Sequence, residues 1–181
     1  MILFVNTCVR PESRTRWLAG KVLERMKGKV VEVCPKNEPL TNEVLVKRTE
    51  LSEKGEFEDE IFGDAKLFAS ADEIVIAAPY WDLSFPASLK NYVEAINVVG
   101  LTFGYGEDGR PYGLCRAKRL VYVTTAGGPI LNEAYGYGYV RELAQGFYGI
   151  PEVVLVKAEG LDIVGADVEG ILGEAVRGLK I

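Results

Sequence analysis

Short apolar runs recur along the chain at a spacing typical of a parallel β-sheet. The runs are rich in β-branched residues and are continuous, as expected for strands that helices cover on both faces. They predict five strands, at residues 2–5, 30–33, 74–78, 120–124 and 153–156.

The segments between these runs have helical periodicity. Apolar residues spaced three and four apart predict one helix around Leu18 and Val22, capped by Ser13 or Thr15, and another that starts near Pro86. Similar stripes predict helices around residues 140–147 and 168–179. Because strand and helix alternate, we expect right-handed crossovers and a doubly wound, three-layer α/β fold of flavodoxin-like strand order 2-1-3-4-5. Residues 1–181 are predicted to form a single domain.

Two stretches fall outside this alternation. Residues 50–60 carry six acidic side chains and one lysine, and we interpret them as the solvated part of the second helical region. Residues 100–114 place Asp108-Gly109 between short aromatic segments, which predicts a β-hairpin inserted before the fourth strand. We expect this hairpin to overhang the carboxyl edge of the sheet.

Composition excludes several classes of function. The net charge of −5 disfavours nucleic-acid binding, and the absence of histidine excludes Ser-His-Asp catalysis and histidine metal sites. The cysteines, Cys8, Cys34 and Cys115, are too far apart for a zinc ribbon or a disulfide scaffold, which favours a reducing cytoplasm. No apolar run approaches the length of a membrane span, so a soluble protein without a metal is predicted.

Ligands of open α/β sheets bind beyond the carboxyl ends of the strands, so the loops there hold the candidate binding residues. The loop after the first strand contains Thr7, Ser13, Arg14 and Thr15 and runs into a helix N-terminus, where unpaired N–H groups favour an anion. Residues 1–30 also carry a net charge of +5, from seven basic and two acidic side chains. The alternative interpretation is simple N-capping by Ser13 or Thr15.

The loops after the third and fourth strands are also unusual. Residues 79–86 hold Tyr80 and Trp81 and would suit a flat aromatic ligand, although such aromatics are more often part of the core. Gly127-Gly128 lets the backbone approach a ligand closely, or forms a plain turn. Residues 134–139 alternate tyrosine with small residues and form either a mobile pocket wall or an inert loop.

One apparent dinucleotide motif is rejected. Gly104, Gly106 and Gly109 satisfy G-x-G-x-x-G, but they lie in the predicted hairpin and Pro111 follows, so no helix begins there to receive a phosphate. The chain also lacks the G-K-[ST] sequence of a Walker loop.

Collinear motifs over nearly the whole chain resemble those of the flavodoxin-like FMN-dependent NAD(P)H quinone oxidoreductases and azoreductases. Together they are specific, although none would be so singly. They are Pro79-Tyr80, Leu89-Lys90-Asn91-Tyr92, Gly100-Leu101-Thr102-Phe103 with Tyr105, Gly113-Leu114, Gly127-Gly128, Phe147-Tyr148-Gly149-Ile150 and Ala158-Glu159-Gly160.

The resemblance implies a bound FMN and a homodimer whose interface completes two active sites. It implies a ping-pong reaction in which NADH or NADPH reduces the flavin, which then reduces a small-molecule acceptor such as a quinone or azo compound, with no catalytic side chain. Backbone amides of residues 126–128 are our candidates for stabilising the reduced ring. The implied phosphate ligands are Thr7, Ser13, Arg14 and Thr15; those of the ring are Pro79, Tyr80, Trp81, Asp82, Leu83, Thr125, Ala126, Gly127 and Gly128; those of the acceptor pocket are Phe103, Tyr105 and Tyr135.

The sequence departs from its relatives in two ways. Diaphorase relatives place a histidine beside the flavin, which this chain cannot do, and the chain is shorter than many azoreductases. The acceptor and any azo reduction therefore stay open. Two alternatives share the fold: a flavodoxin-type electron carrier without a substrate pocket, and an interaction domain that has lost its flavin.

Overall fold

The continuous apolar runs form the strands of one parallel sheet. The computed structural model describes residues 1–179. Its strands are β1 (Ile2–Asn6), β2 (Val30–Val33), β3 (Glu73–Ala77), β4 (Phe103–Tyr105), β5 (Pro111–Gly113), β6 (Arg119–Thr125) and β7 (Glu152–Ala158). Five of them are hydrogen-bonded in the order β2-β1-β3-β6-β7, which is the predicted order 2-1-3-4-5 when β6 and β7 are counted as the fourth and fifth strands.

Residues 1–179 also form six α-helices, five between the strands and one after the last strand. They are α1 (Arg14–Leu23), α2 (Asn42–Glu53), α3 (Gly63–Ser70), α4 (Ala87–Ile96), α5 (Tyr137–Glu142) and α6 (Val168–Arg177). A π-helical turn, Leu143–Phe147, extends α5, and short 3₁₀ turns lie at Glu60–Phe62 and Glu133–Tyr135. No helix within residues 1–179 is long and apolar enough to cross a membrane.

Alternate residues of the central strands supply two apolar clusters, one on each face of the sheet. Leu3, Ile74 and Leu120 pack in the cluster that includes α3, α4 and α5 residues. Phe4 and Val121 face the opposite cluster, with residues of α1 and α6. The predicted three-layer fold is therefore confirmed, because side chains of successive strand residues point to opposite faces.

The second helical region differs from its prediction. It is divided into α2 and α3, and α2 ends at Glu53, so most of the acidic stretch 50–60 lies in the connection between them. α2 has no buried residue, whereas α3 buries Ala65 and Phe68. The acidic residues are solvated as predicted, but they separate two helices.

The predicted hairpin is confirmed, but its expected position is wrong. β4 and β5 pair antiparallel, and Gly109 has a φ of +75° in the connecting turn. At the base of the hairpin, Arg116 N–H donates to Ala69 and Lys118 N–H donates to Asp72, directly before β3 starts. The base therefore lies at the amino edge of the sheet, because a connection from a helix into a parallel strand must end where that strand begins.

Candidate binding crevice

The loop between β1 and α1 presents unpaired backbone donors to the carboxyl edge of the sheet. Ser13 is the N-cap of α1, and its hydroxyl accepts a hydrogen bond from Arg16 N–H at 3.2 Å. The N–H groups of Arg14 and Thr15 have no acceptor within residues 1–179. The predicted capping by Ser13 is thus confirmed, and the same helix start leaves N–H groups and the positive end of its dipole for an anion.

The hydroxyls of this loop are engaged by the protein itself. Thr15 Oγ1 lies 2.6 Å from Thr125 Oγ1, and both residues are buried. Thr7 Oγ1 donates to the Ala77 carbonyl at 2.9 Å, which ties the end of β1 to β3. Thr7 therefore holds the start of the loop against β3 and does not line the crevice, whereas Thr15 does.

Arg14 joins the first loop to the loop that follows β7. Its Nη1 donates to Asp162 Oδ1 at 2.7 Å and to the Leu161 carbonyl at 3.2 Å. Both side chains of the ion pair are substantially exposed, so solvent screens the pair. A phosphate at the start of α1 would compete with Asp162 for the guanidinium.

The loop after β3 has an unusual backbone. Asp82 and Leu83 have φ angles of +51° and +67°, the only positive values of non-glycine residues in the described chain. They form the turn between Trp81 and Ser84, whose backbones exchange hydrogen bonds of 3.1 and 2.8 Å. Such conformations are costly for residues with a Cβ and are concentrated at binding sites.

The end of β6 offers two free amides. Tyr80 N–H donates to the Thr125 carbonyl at 3.0 Å, which holds the β3 loop beside β6. Ala126 N–H donates to Ala158, so our expectation that this amide faces a ligand is wrong, because the pairing with β7 uses it. The N–H groups of Gly127 and Gly128 have no acceptor in the part of the chain that the structure describes.

These loops surround one crevice with a volume of about 470 Å³. Nine of the thirteen residues predicted to hold a cofactor line it: Ser13, Arg14, Thr15, Pro79, Tyr80, Trp81, Thr125, Ala126 and Gly127. Thr7, Asp82, Leu83 and Gly128 do not. The sequence analysis missed Val9, Arg10, Glu12, Leu161 and Asp162. Leu161 and Asp162 follow β7, whose carboxyl end lies at the same edge of the sheet. The loop after β7 was not among the loops predicted to bind a ligand.

The residues predicted for an acceptor pocket are not brought together. Phe103 is buried, with its ring centroid 4.9 Å from that of Phe147, and Tyr105 lies beside it in the hairpin. Tyr135 is exposed, and its carbonyl accepts a hydrogen bond from Ser84 Oγ near the crevice. Since none of the three lines the crevice of this chain, any contact of the hairpin with such a crevice requires a second copy.

Cys8 lies in the loop between β1 and α1, and its environment makes it a poor nucleophile. Burial raises the pKa of the Cys8 thiol, although the Ser13 hydroxyl and the charge of Arg16 offset part of that shift. The thiol is therefore protonated at neutral pH. No group of three or more metal-binding side chains was found in residues 1–179.

Comparison with known proteins identifies relatives over the full length of the chain. A family model described as having a flavodoxin-like fold matches residues 1–180. The chain is 34% identical to FMN-dependent NADH:quinone oxidoreductase 2 of Clostridium acetobutylicum, over 99% of this chain and 96% of that protein. It is 44% identical to the FMN-dependent NADH:quinone oxidoreductase of Clostridium beijerinckii over a shorter region, 60% of this chain and 55% of the relative.

Solved structures give the same picture of the fold. The crystal structure of an azoreductase from Bacillus anthracis strain Sterne superposes with a TM-score of 0.80 at 25% identity, covering 97% of this chain and 94% of that one. An FMN-dependent NADH-azoreductase from B. anthracis strain Ames Ancestor, solved in complex with FMN, also has a TM-score of 0.80, at 20% identity over 97% and 93% of the two chains. At that identity the second likeness concerns the fold alone.

Proposed function

Because this chain belongs to the family with the flavodoxin-like fold, we propose that it is an FMN-dependent NADH:quinone oxidoreductase with an azoreductase-like structure. The observation that carries the proposal is the crevice of about 470 Å³ at the carboxyl edge of the sheet, where the loops after β1, β3, β6 and β7 meet. Its volume lies within the range of roughly 300–1,000 Å³ typical of cofactor sites.

The residues present fit FMN. The free N–H groups of Arg14 and Thr15, with the Arg14 guanidinium beside them, would hold the phosphate. Pro79, Tyr80 and Trp81 would pack against the ring system. At Gly127 a Cβ would lie 2.3 Å from Asp162 Oδ2, so a larger residue here would displace the Asp162 side chain from its present position.

FMN, when bound, supplies hydride transfer from the nicotinamide and two-electron reduction of the acceptor. The chain's own residues bind and orient the reactants and provide fixed dipoles. The amide of Gly127, which lines the crevice, is free to stabilise negative charge, as backbone donors do at anionic centres. This division of roles needs no histidine, so the chain's composition is compatible with the activity.

One crevice must serve both the electron donor and the electron acceptor. We therefore propose that NADH and a quinone or azo compound occupy it in turn, which is a ping-pong mechanism. NADH is the proposed donor because the quinone oxidoreductase relatives are named for it. Three free cysteines, with Cys34 exposed, support a reducing location such as the cytoplasm.

We further propose that the protein is a homodimer. Exposed apolar side chains at the carboxyl edge, among them Leu83, Leu131 and Tyr135, would lose contact with water in such an interface. In the hairpin, Tyr105 and Tyr112 are about half exposed and are available to contact the crevice of a second copy. Sedimentation velocity of the purified protein tests this assembly, and a monomer at all concentrations contradicts it.

The function is tested with the purified protein and free flavins. We expect a yellow protein, or a colourless one that quenches the fluorescence of added FMN with one site per chain. Riboflavin is the matched ligand because it has the same ring and no phosphate, and it should bind more weakly. Anaerobic NADH should then bleach the visible absorbance, and a quinone should restore it. The proposal is contradicted if the protein binds no FMN, or if NADH does not bleach the absorbance of the bound FMN.

A further inference from the structure

A second, much smaller cavity shares the lining residue Tyr80 with the crevice. It has a volume of about 10 Å³, and its lining includes Tyr80, Tyr122 and Thr124 as well as the polar residues Asn132 and Glu133 and the start of α5. A volume of this size holds about one water molecule. Tyr80 is thus the residue through which the small cavity adjoins the crevice.

Three of the residues that line this cavity carry a buried hydroxyl group without a partner in the described part of the chain. Tyr80 Oη, Tyr122 Oη and Thr124 Oγ1 are all inaccessible to solvent, and none has a hydrogen-bond partner among residues 1–179. Tyr122 and Thr124 are two residues apart on β6 and therefore face the same side of the sheet. A buried hydroxyl without a partner is destabilising, and three around one small space is a strong indication of a shared polar ligand.

The hydroxyls do not satisfy one another directly. Burial raises the pKa of the Tyr122 phenol well above its ordinary value, and the Thr124 hydroxyl offsets part of that shift. No hydrogen bond of ordinary geometry joins them. A water molecule between them can donate two hydrogen bonds and accept two, which is enough for all three hydroxyls.

We propose that this cavity binds one ordered water, and that Tyr122 and Thr124 act through it as positioning residues for Tyr80 and for the loop that lines the crevice. That loop includes the costly turn at Asp82 and Leu83, so it requires contacts that fix its conformation. Its backbone is already attached to β6 by the bond from Tyr80 N–H to Thr125. The water attaches the Tyr80 side chain to the same strand.

The water itself is tested without reference to the flavin. Tyr80→Phe and Thr124→Val each remove one hydroxyl and keep the shape of the side chain. A shared water predicts that each change raises the unfolding equilibrium constant by about threefold to tenfold, and that the double variant is little worse than the worse single variant. Independent effects that simply add would contradict the proposal, as would a high-resolution crystal structure of the wild-type protein with no density for water in the cavity.

Tyr92→Phe is the matched control. Its hydroxyl is also buried and without a partner among the described residues, but it borders a different cavity, which is lined by apolar side chains such as Phe68 and Leu89. We expect this change to leave the unfolding equilibrium unaltered or improved, and to be additive with Thr124→Val. Coupling of Tyr92→Phe to Thr124→Val as strong as that of Tyr80→Phe would overturn the assignment to this cavity.

The positioning role rests on the proposed function and needs a readout from the flavin. We expect Thr124→Val to weaken FMN and riboflavin binding by the same factor, about threefold, and to shift the visible absorption of bound flavin, because the loop faces the ring and not the phosphate. Tyr92→Phe should change neither. Unchanged affinity and spectrum in Thr124→Val overturn the positioning role. If the wild-type protein binds no flavin, the proposed function fails. The unfolding measurements and the crystal structure still decide whether the cavity holds an ordered water.

Discussion

The hydroxyl oxygens of Thr15 and Thr125 lie 2.6 Å apart beneath the crevice. This contact joins the first turn of α1 to the last residue of β6, which are 110 positions apart in the chain. Both side chains are buried, so water does not compete for the bond. The helix start that offers N–H groups to an anion is therefore fixed against the strand that carries the Gly127 amide.

Replacing Thr15 with valine should test this contact. Thr15→Val keeps the shape of the side chain and leaves Thr125 Oγ1 without its partner, so we expect a loss of about 1–2 kcal/mol in the free energy of unfolding. The double variant with Thr125→Val should recover part of that loss, because both hydroxyls are then absent. Urea denaturation measures the cycle, and strictly additive losses would show that the contact contributes nothing.

The pair formed by Arg14 and Asp162 should govern discrimination between FMN and riboflavin. Arg14→Gln removes a charged donor beside the proposed phosphate site, and we expect FMN affinity to fall roughly tenfold with little change for riboflavin. Asp162→Asn removes the competitor for the guanidinium and should raise FMN affinity by up to about fivefold. Fluorescence quenching titrations compare the two flavins.

Ser13 offers a control for that experiment. Ser13→Ala removes the N-cap of α1, whose hydroxyl accepts from Arg16 N–H, and should cost about 1 kcal/mol of stability. It should affect FMN less than Arg14→Gln, since it removes a neutral hydroxyl and leaves the charged guanidinium in place. Equal losses of FMN and riboflavin in Arg14→Gln would contradict the assignment of Arg14 to the phosphate.

The sheet could be predicted from sequence because its pattern is local. Each buried strand is a continuous apolar run, and the hairpin turn is indicated by Asp108-Gly109, where glycine adopts a positive φ. The position of the hairpin could not be predicted without the three-dimensional path of the chain. The hairpin follows α4 and precedes β6, and the end of α4 and the start of β6 both lie at the amino edge of the sheet. The division into α2 and α3 was missed because α2 has no buried face to give it an apolar stripe.

The candidate site was predictable in its loops but not in its contacts. The loops after β1, β3 and β6 contributed nine of the predicted residues to the crevice. The partner of Arg14 is Asp162, 148 positions away, and no local pattern encodes such a pair. Similarly, the pairing of Ala126 N–H with Ala158 depends on how far β6 and β7 remain hydrogen-bonded, which sequence periodicity does not specify.

Packing of the hairpin against the backbone of Tyr148 and Gly149 should depend on the absence of a side chain at Gly113. A Cβ at this position would lie 2.1 Å from the Tyr148 carbonyl carbon and 2.2 Å from Gly149 N, both backbone atoms that cannot move aside easily. We expect Gly113→Ala to cost about 3 kcal/mol of stability. Gly20→Ala is the matched control: it lies within α1 with open space around it, so a gain of up to about 1 kcal/mol is expected. Similar stabilities for the two variants in urea would refute the close packing.

Steady-state kinetics should show that donor and acceptor share the crevice. With NADH and a quinone as varied substrates, we expect parallel lines in double-reciprocal plots, and high quinone concentrations should inhibit competitively against NADH. Both results are expected from the proposed alternate occupation of the crevice by the two reactants. Intersecting lines would require both to be bound together and would contradict the proposed ping-pong mechanism.

The decrease in the free energy of unfolding at acidic pH should depend on Glu159. The ion pair with Lys157, at 2.6 Å, and the hydrogen bond from Ile130 N–H lower the pKa of the Glu159 carboxyl, and they fix the loop after β6. Because the pKa in the folded protein lies below its ordinary value, the stabilisation is complete above that value and is lost as the pH falls through the folded pKa. Glu159→Gln should therefore have a shallower decline in unfolding free energy from neutral to acidic pH. Glu58→Gln is the control, because Glu58 is fully exposed and solvent screens its ion pair with Lys66. If both variants follow the wild-type slope, the Glu159 ion pair does not stabilise the loop.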